Sequence, residues 1–406
     1  MAVFFRENFG PSCTHRIYGI MENTMSTIMD YLRWRGDLSF LKDPFNDIDA
    51  LILALLSYLP FREIVPGVAS NEEIPLKRVA AKFKVITQKA AAKSESLSST
   101  ASASFDHELA VLLERAAESP RFADVRMSKY DENVDFIVGR QFGAITFGLN
   151  TTSHEKVIAF RGTDNSVMGW KEDFQLAYLE QIPAQEAACR YLERSINIFS
   201  GQFTICGHSK GGNLAVYAGT HVNSLLQTRI SRIINFDGPG FDFSVTKRKS
   251  FANIEKKVSN FIPQESMVGL LLDPFGQRTV ISSLSRLMNQ HNAFNWEVDR
   301  TNFLETKLST VAKMTEQILK TWLTDIPVHE RETFLEAFFE ILGASEGAAI
   351  RFDPQENIKE AKAILLKYSK LDLKTKTLLA RVAASLTDQT RKTLTKSIKA
   401  KLPKLV

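Results

Sequence analysis

The chain has 406 residues, of which 44% are hydrophobic and 24% charged, a composition typical of a globular protein with a sizeable core. Its three cysteines, Cys13, Cys189 and Cys206, are too few and too scattered for a disulfide framework or a zinc site. The longest apolar run, at 48–59, contains an aspartate and is too short to span a bilayer. Charges interrupt the first residues before a signal-peptide core can form, so we expect a cytoplasmic protein.

The charge is unevenly distributed along the chain. The net charge is +5, yet residues 359–406 carry 13 Lys and Arg against three acids, so this tail is +10 and the remainder is about −5. Such a tail is typical either of peripheral contact with an anionic membrane or of the solvated face of a helical bundle, and the bundle is the commoner case. Its few aromatic residues argue against a nucleic-acid partner.

Four regions are predicted in chain order, from changes in composition and in hydrophobic period. They are a poorly patterned N-terminal extension at 1–24, a helical region at 25–118 with a low-complexity connection near 89–104, an α/β core at 119–300, and a basic helical region at 301–406. Met21 and Met25 are alternative start positions. The oligomeric state is left open.

The core region alternates short apolar segments with helical ones. This alternation predicts an α/β fold with a mostly parallel sheet covered by helices on both faces. The predicted strands lie at 135–138, 142–147, 156–160, 202–206, 230–236, 257–262 and 279–282, and the helix before the fourth strand lies at 184–199.

The segment Gly207 to Gly212 reads Gly-His-Ser-Lys-Gly-Gly and lies between a predicted buried strand and a predicted helix at 213–218. Strand, Gly-x-Ser-x-Gly and helix is the context of a nucleophile elbow, in which small residues flank a serine on a tight turn. The pattern therefore predicts an α/β-hydrolase fold with Ser209 as nucleophile.

A serine nucleophile needs a histidine base and a carboxylate that orients the base, and in this fold they follow in the order Ser, acid, His. That order leaves His291, in a loop after the last predicted strand, as the base. The other six histidines precede the serine, lie about three turns along its helix or belong to the C-terminal helical region: His15, His107, His154, His208, His221 and His329.

Three carboxylates remain open as the acid. Asp237 begins an Asp-Gly-Pro-Gly loop directly after a strand, Glu265 follows the next strand, and Asp273 lies further into an apolar segment. The first two lie at strand ends, where a triad acid belongs, but surface acids in loops are common and the sequence contains no distances.

The oxyanion hole requires two backbone donors. One is the amide of the residue after the nucleophile, Lys210, and the other is expected from Thr163, in the loop after the strand at 156–160. We interpret the Lys210 side chain as the first exposed residue of its helix, and Arg161 with Asp173 as a structural ion pair.

Several ordered motifs together resemble fungal-type (class three) lipases and, more closely, the bacterial Mbeg-like domain family, a branch of α/β-hydrolases. These segments are 158–163, 169–174, 207–215, 235–241, 263–269, 290–298 and the opening 27–61. The resemblance implies Ser209, His291, Thr163 and Lys210 in the roles above. The lipase pattern implies an acid near Glu265, whereas the family's Asp-Gly-Pro-Gly segment favours Asp237, which we rank first. By analogy, residues 164–179 correspond to a lipase lid.

The resulting hypothesis is a serine ester hydrolase of the lipase or esterase type that needs no metal or organic cofactor and acts on an acyl ester or lipid. The alternative is a hydrolase-fold scaffold that binds a ligand or partner without turnover, with the basic C-terminal helices as its docking surface.

Overall fold

The computed structural model describes most of the chain between residues 26 and 341. The described ranges are 26–91, 101–135, 140–153, 155–163, 175–176, 178–196, 201–241, 243–272, 275–325, 327–341 and 369–381, with single positions at 384, 387, 388 and 391. The predicted N-terminal extension, His154, Asp173, Asp273, most of the lid-like segment and most of the basic tail lie outside these ranges.

Helices and strands alternate through the described chain. The helices are α1 (Ile28–Arg35), α2 (Asp47–Leu56), α3 (Leu76–Ala91), α4 (Ala101–Glu118), α5 (Pro183–Ser195), α6 (Lys210–His221), α7 (Ser224–Gln227), α8 (Phe243–Thr246), α9 (Lys249–Ala252), α10 (Thr310–Asp325) and α11 (Val328–Ile341). The strands are β1 (Ile74–Pro75), β2 (Arg126–Asp135), β3 (Arg140–Gly148), β4 (Lys156–Phe160), β5 (Phe203–His208), β6 (Ile230–Phe236), β7 (Val258–Pro263), β8 (Arg278–Ile281), β9 (Val298–Asp299) and β10 (Asn302–Phe303).

One eight-stranded sheet organises the fold, with β1 to β8 side by side in sequence order. The pairs from β1 to β4 are antiparallel, and those from β4 to β8 are parallel. Helices connect the first parallel strands, as parallel pairing requires. The predicted α/β class with a mostly parallel sheet is therefore confirmed, and the strand–serine–helix turn at its centre is that of an α/β-hydrolase fold.

The two faces of the central strands feed two separate cores. In β4, Val157 and Ala159 join the core that contains α2 and α4, whereas Ile158 and Phe160 join the core that contains α5 and α6. This alternation follows from the two-residue period of a strand. The sheet is thus covered by helices on both faces, as predicted.

Helix α2 begins at a well-defined cap. Asn46 caps it, because the Asn46 side-chain oxygen accepts hydrogen bonds from the amides of Ile48 and Asp49. The helix packs on β4 and β5, and the buried thiol of Cys206 in β5 contacts the Ala50 carbonyl oxygen at 3.7 Å. Cys206 is thus a packed side chain of the core.

Two element boundaries differ from the prediction. The strand β2 begins at Arg126 rather than at 135, because its many polar residues and few buried positions give a weak strand pattern. Residues 136–138 of the predicted strand lie outside the described residues. The predicted connection near 89–104 is narrower than expected, because α3 continues to Ala91 and α4 begins at Ala101. Among the described residues no helix is both long and apolar enough to cross a membrane.

Candidate active site

Ser209 lies on the sharp turn between β5 and α6. Its backbone has φ +59° and ψ −135°, a conformation that residues with a side chain rarely adopt. The Ser209 amide donates to the carbonyl oxygen of Phe236, at the end of the neighbouring strand β6, at 2.9 Å. The turn is therefore tied to the sheet at the nucleophile position itself.

The glycines of the motif are required by close approach. A Cβ atom on Gly207 would lie 2.2 Å from the backbone of Gly211, and one on Gly211 would lie 2.1 Å from the carbonyl oxygen of Phe160. Both distances are shorter than any real carbon contact. The turn can therefore close only with glycine at these positions, as a nucleophile elbow demands.

The imidazole of His291 lies between Ser209 and Asp237. His291 ends a short 3-10 turn at Leu287–His291, after β8. Its Nε2 atom is 2.9 Å from Ser209 Oγ, and its Nδ1 atom is 2.7 Å from Asp237 Oδ2. A carboxylate only accepts, so Nδ1 carries the hydrogen and Nε2 is left to accept from the serine hydroxyl. This is the geometry of a serine–histidine–acid triad.

Asp237 is completely buried at the end of β6. Its Oδ1 atom accepts hydrogen bonds from the Ser266 hydroxyl and from the Gly269 amide, the latter at 3.2 Å. Its own amide donates to the Phe261 carbonyl oxygen of β7 at 2.8 Å. The donors to Oδ1 replace the water that the buried carboxylate has lost, and Oδ2 accepts from His291.

Glu265, the second candidate acid, contacts the residue that precedes His291. The Glu265 amide donates to the side-chain oxygen of Gln290 at 2.8 Å, and its Oε2 accepts from Gln290 Nε2 at 3.5 Å. These two hydrogen bonds hold Gln290, the residue before His291. Asp273 lies outside the described residues.

The predicted oxyanion donors follow two neighbouring parallel strands, β4 and β5. Lys210 is the first residue of α6, so its amide belongs to the helix N-terminus, where backbone donors favour an anion. Thr163 follows β4, which pairs in parallel with β5 and sets Phe160 opposite Gly207. Both loops therefore leave the same edge of the sheet from neighbouring strands.

The prediction of an exposed Lys210 side chain is wrong. The side chain is completely buried, and its Nζ donates to the carbonyl oxygen of Gln141 in β3 at 3.0 Å. The reason is that α6 is buried over residues 210–220, between the sheet and α5, so the start of this helix does not reach solvent.

Arg161 forms an ion pair with Glu132 of β2. Its guanidinium donates to Glu132 of β2, and both side chains are largely buried. The predicted partner, Asp173, lies outside the described residues. The pair links the loop after β4 to β2.

Two further side chains reach the site without having been predicted. The buried ring of His208 places Nε2 2.9 Å from the His291 carbonyl oxygen and Nδ1 3.0 Å from the Tyr58 hydroxyl. Burial and then the neighbouring His291 hold the pKa of His208 well below its ordinary value, so its ring is neutral. Chain order removes His208 as a base, and no motif marks Tyr58.

A polar pocket of about 600 Å³ opens beside this site, at the carboxyl ends of β7 and β8. It is lined by Gln264, Glu265, Ser282, Ser283, Leu284, Ser285, Arg286 and Glu297. Within the described ranges, no group of three or more His, Cys, Asp or Glu side chains has the arrangement of a metal site.

Comparison with solved structures finds a lipase, at low similarity. The chain shares 14% identity with the crystal structure of M37 lipase, with a TM-score of 0.32 over 41% of this chain and 63% of the lipase chain. The match therefore spans less than two thirds of the lipase's length. No curated protein matches.

Comparison with protein families gives a match that covers more than half of the chain. The matched residues, 116–340, include β2 to β8 and the segments that hold Ser209, Asp237 and His291. The resemblance expected from the ordered motifs is thereby confirmed. The chain belongs to the Mbeg1-like family.

Proposed function

We propose that the protein is a serine ester hydrolase with Ser209 as nucleophile, His291 as general base and Asp237 as the orienting acid. The observation that carries the proposal is the continuous hydrogen-bonded line from Ser209 Oγ through both ring nitrogens of His291 to Asp237 Oδ2, at 2.9 and 2.7 Å. Membership of the Mbeg1-like family supports it at the level of a hydrolase.

The first half of the reaction forms an acyl-enzyme. Ser209 Oγ attacks the carbonyl carbon of the ester while its proton moves to Nε2 of His291. Asp237 stabilises the resulting imidazolium through Nδ1. The carbon–oxygen bond to the alcohol then breaks, and the alcohol leaves with the proton returned by Nε2.

The second half repeats the route with water. His291 takes a proton from water, the hydroxide attacks the acyl carbon, and Ser209 leaves with the proton from the imidazolium. In both halves the carbonyl oxygen becomes an oxyanion. The amides of Thr163 and Lys210 are the proposed donors, and the N-terminus of α6 adds a favourable dipole.

The proposed substrate is compatible with the chemistry of an acyl-enzyme. A carboxylic ester, of which an acyl lipid is one kind, supplies both the electrophilic carbonyl and an alcohol that His291 can protonate. No step needs a metal or an organic cofactor.

Labelling with a fluorophosphonate tests the nucleophile. The wild type is expected to be labelled, whereas Ser209→Ala is not labelled and loses ester hydrolysis by a factor on the order of 10⁴ or more. Ser224→Ala, a change at an exposed serine on α7, is the matched control and keeps full labelling. Equal labelling of Ser209→Ala and wild type would contradict the assignment.

Hydrolysis of short-chain nitrophenyl esters separates an enzyme from a binding scaffold. Under the proposal, His291→Ala loses activity to a similar extent as Ser209→Ala, because residues that act as one unit fail together. If wild type and His291→Ala hydrolyse these esters equally slowly, the scaffold hypothesis is favoured instead.

A further inference from the structure

The backbone of the loop that carries His291 is held at two consecutive carbonyl groups by buried ring N–H groups. Trp296 Nε1 donates to the Gln290 carbonyl oxygen at 2.7 Å, and His208 Nε2 lies 2.9 Å from the His291 carbonyl oxygen. The two rings are themselves in edge contact, with centroids 5.8 Å apart. His208 therefore ties the elbow directly to the main chain of the proposed base.

The partners of the His208 ring define its tautomer. A carbonyl oxygen accepts but cannot donate, so the hydrogen of the ring is on Nε2. Nδ1 is then an acceptor, and the Tyr58 hydroxyl, 3.0 Å away, donates to it. The same hydroxyl lies 3.3 Å from the His208 carbonyl oxygen. The His291 carbonyl oxygen thus selects the tautomer, and the Tyr58 hydroxyl, which can donate or accept, is compatible with it.

The charge of the His208 ring bears on the chemistry of its neighbour. The rings of His208 and His291 have centroids 4.7 Å apart and planes inclined by 30°. Among the described residues that contact the His208 ring, the titratable groups are the His291 imidazole and the Tyr58 phenol, while Trp296 is uncharged. A positive charge on His208 would oppose proton transfer to His291, whereas a neutral ring does not.

We propose that His208, held by Tyr58, is a positioning residue that fixes the main chain of His291 and remains neutral while His291 takes the serine proton. The inference rests on the proposed function of Ser209 and His291. It also gives a role to Tyr58, which lies outside the residues 116–340 matched to the family. The N-terminal region therefore contributes to the placement of the base.

Two substitutions at one position test this role. In His208→Phe the ring volume remains but the donor is lost, and we expect kcat/KM for an ester to fall about 100-fold, the scale for a small misplacement of a reacting group, with KM little changed. In His208→Gln the side-chain amide can again donate to the His291 carbonyl oxygen, and most of the activity is expected to return. Thermal unfolding of each variant serves as the control for folding.

The two proposals fail in distinguishable ways. If the wild type is not labelled by a fluorophosphonate, the proposed function is wrong. If the wild type is labelled and His208→Phe is labelled equally fast, or if Gln and Phe impair it equally, the positioning role is wrong.

Nitrogen NMR of the wild type tests the same role without any variant. With ¹⁵N-labelled histidine, His208 is expected to show a neutral ring with hydrogen on Nε2 between about pH 5 and 8, where an ordinary histidine titrates. A ring that titrates in this interval, or that carries hydrogen on Nδ1, would overturn the proposal.

Discussion

Two kinds of support meet at the candidate site, and they differ in how they hold a side chain. Ser209 and Asp237 follow adjacent parallel strands, and each continues the backbone ladder by donating to the next strand. Both have positive φ, +59° and +52°, so both chains turn sharply at the sheet edge. His291 instead lies on a 3-10 turn far along the chain, and side chains hold it.

The difference indicates where each position is vulnerable. The strand-end residues depend on main-chain geometry and on glycines that permit close approach. The loop residue depends on the hydrogen bond that its ring donates to Asp237, and on those that its carbonyl oxygen accepts from His208 and the preceding carbonyl oxygen accepts from Trp296. Side-chain substitutions should therefore affect the base more readily than they affect the nucleophile turn.

The largest effect is expected from Asp237→Asn. An asparagine amide can donate to Nδ1 and so favours the wrong tautomer of His291, and kcat is expected to fall about 10⁴-fold. Glu265→Gln is the matched control, because it changes the other strand-end acid while keeping the amide that binds Gln290, and activity should change little. The reverse result in ester hydrolysis would assign the acid to Glu265.

A smaller effect is expected from Ser266→Ala. The substitution removes a hydroxyl that donates to Asp237 Oδ1, and one hydrogen bond to a charged group contributes about 1.5–3 kcal/mol, so kcat/KM should fall about tenfold or more. Ser283→Ala, in the neighbouring pocket, is a control that leaves Asp237 untouched. Similar rates for Ser266→Ala and Ser283→Ala would show that this hydroxyl is dispensable.

The loop support is tested by Trp296→Phe. The phenyl ring still fills most of the space of the indole, but the Gln290 carbonyl oxygen loses its donor. The free energy of unfolding should therefore fall by about 2 kcal/mol, as for a buried acceptor without a partner. Activity should fall only a few-fold, because His208 still holds the next carbonyl. Chemical denaturation measures the first quantity, and an unchanged midpoint would contradict it.

The smallest effect concerns acid stability. Because the folded pKa of His208 is lowered, the unfolded state takes up a proton below about pH 6.5 that the native state does not, so stability decreases as the pH falls. One such group contributes at most about 1.4 kcal/mol per pH unit. His208→Gln should therefore lose stability less steeply between pH 6.5 and 5 than the wild type in denaturation experiments. Identical slopes would mean that His208 takes up its proton over the same pH range in the folded and unfolded states.

Much of this architecture follows from local patterns. The strand–turn–helix context singles out Ser209, and chain order singles out His291, which the structure brings into hydrogen-bond contact; their catalytic roles stay predictions. The sequence does not distinguish the two candidate acids, because Asp237 and Glu265 both follow parallel strands. Only the packing of the strand-end loops distinguishes them.

What the sequence could not supply lies in contacts between distant segments. Lys210 is the first residue of a helix, a position that is usually exposed. Its burial depends on α5 and β3, and sequence periodicity does not show where these elements pack. His208 belongs to the motif, but its role depends on Tyr58, 150 residues earlier, and on His291, 83 residues later. No local pattern encodes such partners.

Helix α2 has a consequence for how this chain can be divided. It covers one face of the central strands, where Ala159, Cys206 and Ile234 are completely buried. A fragment that begins at residue 116, where the family match begins, would expose that apolar face to solvent. An exposed apolar surface of this kind promotes aggregation. Recombinant expression should therefore include the segment from α2 onward, because the matched region alone lacks the helix that covers one face of the sheet.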